Sequence, residues 1–237
     1  QINTPYPSTA YLTGFLRSQG FDATQSDPGI MMIDRLFSSN GLNEVAVDLY
    51  SKYGLRANSR NPTLYWFFEN IDLIISVIDD VKAFLRGQAD HLEYRIESGT
   101  LLPPGPVTND RSRTSSIQFA LQRAGQNGRA LTYAGFFLKE IINVIKNLDE
   151  GFGIDRYGEM LAESSITFEP LFNRLHGPNT IVDRYIETIA LEIIKKEQPG
   201  LLGLSVPFPG NVYGALRIGK IVKEKFPDLK IVMGGGF

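Results

Sequence analysis

Apolar residues recur every three or four positions along residues 181–194, which is the period of one face of an α-helix. They are Ile181, Val182, Tyr185, Ile186, Ile189, Ala190, Ile193 and Ile194. Pro199 and Gly200 stop this helix. An unbroken apolar run of strand length follows at 201–206. Such a run is typical of a parallel strand that is covered on both faces.

A second helix and a second apolar strand follow. The helix turns Val212, Leu216, Ile218, Gly219 and Val222 inward, and residues 230–233 form the next strand. A strand, a helix and another strand are the repeating unit of a parallel α/β sheet.

The first residues of the chain show a similar order. Residues 1–5 are predicted to be the tail of a strand, and a helix capped by Ser8 or Thr9 is predicted to end at Gly20. A short strand at 21–25 and an exit turn at 27–29 follow. The pattern therefore predicts an α/β fold with an incomplete, Rossmann-like parallel sheet of about four strands.

The middle of the chain has little strand character. Helices are predicted near 43–53, 63–86, 115–124, 131–148 and 157–163, and the proline-rich stretch from 101 through 116 is predicted to be a loop. The simplest organisation is an α/β domain of residues 1–36 and 177–237 with a helical insertion at 37–176. A helical domain that folds independently is equally allowed.

Charge and cysteine content exclude several functions. Lys and Arg number 24 and Asp and Glu number 26, a balance of −2 that gives no support for binding nucleic acid or an acidic membrane. The absence of cysteine excludes disulfides, iron–sulfur ligation and a thiol nucleophile within this chain. No transmembrane stretch or signal peptide is visible, so we expect a cytoplasmic protein with no membrane partner.

Three predicted strand ends are suited to close contact with a ligand. Open parallel sheets bind ligands at the carboxyl ends of their strands, and glycine lets a planar or phosphate-bearing group lie on the backbone. The three segments are residues 4–8, 205–210 and 234–236. Each segment taken alone is also typical of a tight turn.

These segments resemble a known family. Residues 198–206, 215–223 and 226–236, together with 3–7 and 16–20, are similar to the cobalamin-binding domain that precedes the catalytic barrel of cobalamin-dependent radical S-adenosylmethionine enzymes. The resemblance covers less than half of the chain and leaves the helical middle block unexplained.

The resemblance implies a flavodoxin-like domain with cobalamin over the carboxyl ends of the strands. Ser205 is expected to face the nucleotide tail, the glycine run to border it, and the loop from Thr4 to Thr9 to face the corrin, with Phe208 and Pro209 at its edge. The implied cofactor-binding residues are Thr4, Pro5, Tyr6, Pro7, Ser8, Ser205, Val206, Pro207, Phe208, Gly234, Gly235 and Gly236. The first loop contains no histidine, so neither a protein ligand to cobalt nor a catalytic residue is expected.

The resemblance also implies a longer parent protein. The chain begins at Gln1 and stops at Phe237 after a glycine turn, which we interpret as a piece cut at both ends. The [4Fe–4S] cluster and S-adenosylmethionine are expected in a downstream radical barrel, the intramolecular partner of this piece. The parent is then a methyltransferase or Fe–S oxidoreductase with an unknown substrate, and the piece itself is expected to be inactive.

Two other hypotheses remain open. The same fold can serve as a cofactor-free module for docking or substrate positioning, which predicts a filled groove beside Ser205 and Gly234. A flavodoxin-like domain for a flavin or another nucleotide is the third hypothesis, although the loop at 5–9 lacks glycine.

Other candidate residues have ordinary structural explanations. The aromatic run 65–68 can bind a substrate ring but is more typical of a helical core, and His91 and His176 are typical of a surface. The adjacent carboxylates Asp79 and Asp80 diverge on a helix and form no acid–base pair.

Overall fold

The structure, a computed structural model, describes residues 7–54, 61–109, 128–153 and 167–236. The chain divides into two compact units. The α/β unit comprises residues 1–34 and 151–237, and the helical unit comprises residues 35–150. The α/β unit therefore includes residues 151–176, which the sequence analysis assigned to the helical insertion.

The described elements are mostly helices. In chain order they are α1 (Ser8–Ser18), α2 (Pro28–Leu36), α3 (Ser39–Tyr53), α4 (Pro62–Glu69), α5 (Ile71–Leu85), α6 (Glu93–Glu97), α7 (Pro106–Asn109), α8 (Arg129–Ile145), α9 (Glu169–His176), α10 (Ile181–Glu197), β1 (Leu201–Ser205), α11 (Val212–Lys225) and β2 (Lys230–Gly234). Short 3-10 turns lie at Asp90–Leu92 and Pro209–Asn211. No helix within these ranges has both the length and the apolar character needed to cross a membrane.

The sheet of the α/β unit consists of β1 and β2, which pair in parallel. Leu202 lies opposite Ile231, and both pack against a cluster formed by α10 and α11. Within the described residues, the opposite face exposes Leu201 and Val232, with 55% and 54% of their surfaces accessible. The sequence analysis predicted that strand β1 is covered on both faces. Within the described residues this prediction is wrong, because α10 and α11 both pack against the same face of the sheet.

The prediction of a strand at 21–25 is also wrong. Residues 21–27 have no regular structure, and the side chain of Arg17 holds the carbonyl of Ala23 at 2.7 Å. The turn predicted at 27–29 is the start of α2. Its cap is Asp27, whose Oδ1 accepts a 3.0 Å hydrogen bond from the backbone N–H of Ile30, and Pro28 occupies the first helical position.

The helical unit follows the predicted apolar periodicity with shifted boundaries. Helix α3 begins earlier than predicted because the Ser38 side chain accepts a 3.1 Å hydrogen bond from Gly41. The helix predicted at 63–86 is two helices separated at Asn70, and the helix predicted at 131–148 is α8. The predicted helices 115–124 and 157–163 lie outside the described residues.

Candidate functional site

Two of the three predicted strand ends lie side by side in the α/β unit. Ser205 ends β1 and is the register partner of Gly234, which ends β2. The pairing continues for one more residue, since the N–H of Val206 donates a 2.7 Å hydrogen bond to the carbonyl of Gly234. The carboxyl ends of both strands thus form one edge.

Ser8 joins this edge from the other end of the sequence. It is the first residue of α1, and its Oγ lies 3.1 Å from Oγ of Ser205, in a partly buried contact between residues 197 positions apart. Each hydroxyl can donate one hydrogen bond and accept two. The pair therefore retains capacity for a further polar group.

The two glycines after β2 have different surroundings. Within the described residues, a side chain at Gly234 would meet no atom within 4 Å, so this position borders open space in that part of the structure. Gly235 has φ of +149°, and a Cβ there would overlap the carbonyl oxygen of Val206. Gly235 therefore sets the backbone path, whereas none of the described side chains covers the position of Gly234.

The remaining predicted site residues have varied positions. Thr4, Pro5 and Tyr6 lie outside the described residues. Pro7 and Gly236 are exposed, Pro207 and Phe208 are half-buried, and the Val206 side chain is buried. Val206, Pro207 and Phe208 directly follow β1, and Gly236 lies two residues after the end of β2.

A buried polar network lies under the first turns of α11. Asp183 is fully buried and accepts hydrogen bonds from the Tyr213 hydroxyl at 2.6 Å, from Arg174 at 2.8 Å and from the Thr180 N–H at 2.9 Å. Burial alone would raise the pKa of Asp183, but these hydrogen bonds hold that pKa below its ordinary value. Burial and the neighbouring carboxylate raise the pKa of Tyr213 far above its ordinary value.

Arg217 completes the network from the next turn of α11. It is 1% exposed, donates a 2.8 Å hydrogen bond to the Leu175 carbonyl and pairs with Glu187 at 2.7 Å. It also donates to the side chain of Asn179. Because these contacts join α9, α10 and α11, the network fixes the first turns of α11, the helix that follows the segment 206–211 along the chain.

Sequence reasoning missed this network, although one signal was present. Thr180 and Asp183 have the spacing of a capping box, which the structure contains. The Arg217 and Tyr213 contacts are tertiary, and no local pattern indicates them.

The histidines and carboxylates do not form a metal centre in the described ranges. His176 is exposed, with Nδ1 2.8 Å from the Phe172 carbonyl and its ring 4.1 Å from the Phe172 ring. No group of three or more histidine, aspartate or glutamate side chains is placed to hold a metal ion within these residues.

Comparisons with protein families, with curated proteins and with solved structures find no match to this chain. The geometry of the strand ends and the sequence resemblance are therefore the basis for a functional proposal.

Proposed function

We propose that this chain is the cobalamin-binding module of a longer radical S-adenosylmethionine enzyme, with a flavodoxin-like fold and the Fe–S barrel elsewhere in the parent. One observation carries the proposal. Ser8 and Ser205, from segments that the resemblance assigns to the cofactor, have their hydroxyls 3.1 Å apart at the strand end beside Gly234.

The residues at this edge fit a large flat ligand with a polar tail. The exposed backbone at Gly234 has no side chain to obstruct a ring system. The two hydroxyls offer hydrogen bonds to oxygen or nitrogen atoms of a nucleotide tail. Cobalamin supplies cobalt-centred group transfer when bound, and this chain's part is to hold the tail and shape the groove.

A docking module without a cofactor is the second candidate, and one observation favours it. Within the described residues, Leu201 and Val232 on the sheet and Tyr11 and Phe15 on α1 are large apolar side chains left more than half exposed. A contiguous exposed apolar patch marks an interaction surface, and the docking candidate assigns these side chains to such a surface. Among the described residues nothing fills the space at Gly234, which favours the cobalamin proposal, because the docking module predicts a groove filled by side chains.

The test is binding of hydroxocobalamin, followed by its visible spectrum during gel filtration. We expect the corrin to elute with the chain. Gly234→Leu fills the open edge and is expected to weaken binding by roughly tenfold or more, about 1.4 kcal/mol. Gly200→Leu is the matched control, because it also borders open space but lies at the opposite end of β1.

The Ser205→Leu variant provides a second test of the cobalamin proposal. Loss of corrin binding with an unchanged circular dichroism spectrum supports the cobalamin proposal. Failure of both the folded native chain and a longer parent protein to retain the corrin rejects it in favour of the docking module.

A further inference from the structure

A cleft of about 470 Å³ opens on the helical unit, and it does not depend on the proposed cobalamin site. One wall comes from α4 and the turn after it, where residues 62, 65, 66, 69 and 70 share one face through spacings of three and four. The other wall is the loop Pro104, Gly105 and Pro106. This volume is within the range of roughly 300–1,000 Å³ that small-molecule sites occupy.

Rings dominate both walls of the cleft. Tyr65 leaves 53% of its surface exposed, and the neighbouring Trp66 is buried with its ring edge-on to Phe137 at a centroid distance of 6.3 Å. Pro104 and Pro106 face them across the cleft. Aromatic and proline rings offer a rigid apolar surface that binds the apolar body of a ligand at little cost in side-chain entropy.

The proline wall is fixed by a buried carboxylate. Glu140 is 1% exposed, and its Oε1 accepts hydrogen bonds from the backbone N–H groups of Val107 and of Thr108, the latter at 3.4 Å. A Cβ at Gly105 would overlap the Glu140 side chain, so only glycine lets the loop approach so closely. The position of the proline loop is therefore fixed by contacts that do not involve a ligand.

The described residues that line the cleft carry a negative charge. Glu69 is exposed, and its carboxylate makes neither a hydrogen bond nor an ion pair with any described residue. The described lining residues include no Lys, Arg or His. A carboxylate beside an exposed aromatic face attracts cations by direct charge and through the ring quadrupole, and it repels anions.

We infer that this cleft binds an organic cation, an ammonium group carried on an apolar or aromatic body. The ammonium lies between the Tyr65 ring and the Glu69 carboxylate, and the body packs against Trp66 and the two prolines. A bare metal ion is a poorer match, because the described residues hold no group of three or more carboxylate or histidine side chains placed to bind one.

The chain contains one tryptophan, so indole fluorescence reports directly on this cleft. The full chain is titrated with phenethylammonium chloride while Trp66 emission is followed. The neutral isostere 2-phenylethanol and the anion phenylacetate are titrated at equal ionic strength. We expect a saturable change with the ammonium probe, weaker binding of the alcohol and no binding of the anion.

Two variants test the assigned contacts. Glu69→Gln is expected to weaken ammonium binding about threefold and leave the alcohol unaffected, because only the cation uses the carboxylate. Tyr65→Ala is expected to weaken the ammonium about fivefold. Tyr94→Ala on α6 is the matched control, because Tyr94 is 79% exposed and does not line the cleft.

Three results overturn the inference. They are the absence of a saturable emission change with the ammonium probe, equal affinity for the ammonium and the alcohol, and unchanged ammonium affinity in a folded Glu69→Gln variant. Loss of corrin binding in the other unit has no bearing on these results, so the two proposals fail separately.

Discussion

The phenolic oxygen of Tyr213 lies 2.6 Å from a carboxylate oxygen of Asp183, and both side chains are buried. The same carboxylate pairs with Arg174 and closes the capping box at the start of α10. One buried charge thereby links α9, α10 and α11, the last of which follows the candidate strand end along the chain. Removal of one member of such a buried network leaves an uncompensated buried charge, which is strongly destabilising.

Asp183→Asn is expected to destabilise the chain by roughly 3–5 kcal/mol, because it leaves Arg174 and Arg217 without their shared negative charge. Urea unfolding measures the decrease in the free energy of unfolding. Since the folded pKa of Asp183 is below its ordinary value of 3.8, its stabilisation is present above about pH 4 and declines as the pH falls through the folded pKa.

The exposed Asp228, changed to Asn, is the control for that substitution, and we expect its effect to remain within about 0.5 kcal/mol. A loss below about 1 kcal/mol in Asp183→Asn would show that the network contributes little to the stability of the fold.

The sequence predicted the elements whose signals are local. Helix α10, strand β1, helix α11 and strand β2 each carry their own apolar period and stop residues, and all four are present. The strand predicted at 21–25 failed because strand formation depends on a partner strand, which a local pattern does not supply. Helix α2 was missed although Asp27 and Pro28 form a standard cap, because the pair was interpreted as a turn alone.

The candidate site was predictable to a similar extent. The proximity of Ser205 and Gly234 follows from parallel pairing, since successive parallel strands end at the same edge. Ser8 lies 3.1 Å from Ser205, so the first helix does approach this strand end, whereas the strand predicted before Ser8 lies outside the described residues. The cleft on the helical unit was not predictable, because its second wall depends on Glu140 and the proline loop, which are tertiary neighbours.

Gly234 and Gly235 are adjacent and are expected to respond differently to alanine. Gly235→Ala is expected to cost roughly 2 kcal/mol or more, because its φ of +149° and the Val206 carbonyl both oppose a Cβ. Gly234→Ala is expected to change stability by less than about 0.5 kcal/mol, since its Cβ would enter open space. Thermal unfolding of both variants checks the difference, and equal midpoints would contradict the backbone argument.

Glu140→Gln tests the buried carboxylate behind the proline loop. Burial raises the pKa of Glu140 above its ordinary value of 4.5, against the lowering effect of the Val107 and Thr108 N–H groups. The protonated form is therefore favoured by folding, and its stabilisation is fully present below about pH 4.5 and is lost as the pH rises through the folded pKa.

Glutamine retains the oxygen that accepts from Val107 and has no charge to bury. The stability of Glu140→Gln relative to the native chain is therefore expected to increase from pH 4.5 toward pH 7. The increase is about 1.4 kcal/mol for each pH unit by which folding raises the pKa of Glu140. Denaturant unfolding at a series of pH values measures this difference. Parallel stability curves for the two proteins would show that Glu140 has the same pKa in both states.

The last prediction concerns the exposed face of the sheet. Leu201 and Val232 alternate with the residues that pack under α10 and α11, and in the described structure they face away from that core. Because apolar side chains on an uncovered sheet favour association, we expect the chain to bind a hydrophobic dye and to self-associate as its concentration rises. The double variant Leu201→Thr, Val232→Thr is expected to reduce both effects while changing the free energy of unfolding by less than about 1 kcal/mol, since neither side chain is buried.

The matched control is Leu202→Thr, which alters the packed face and is expected to destabilise the chain by roughly 1–3 kcal/mol without reducing dye binding. Equal dye binding by the native chain and the double variant would show that this face is covered in solution.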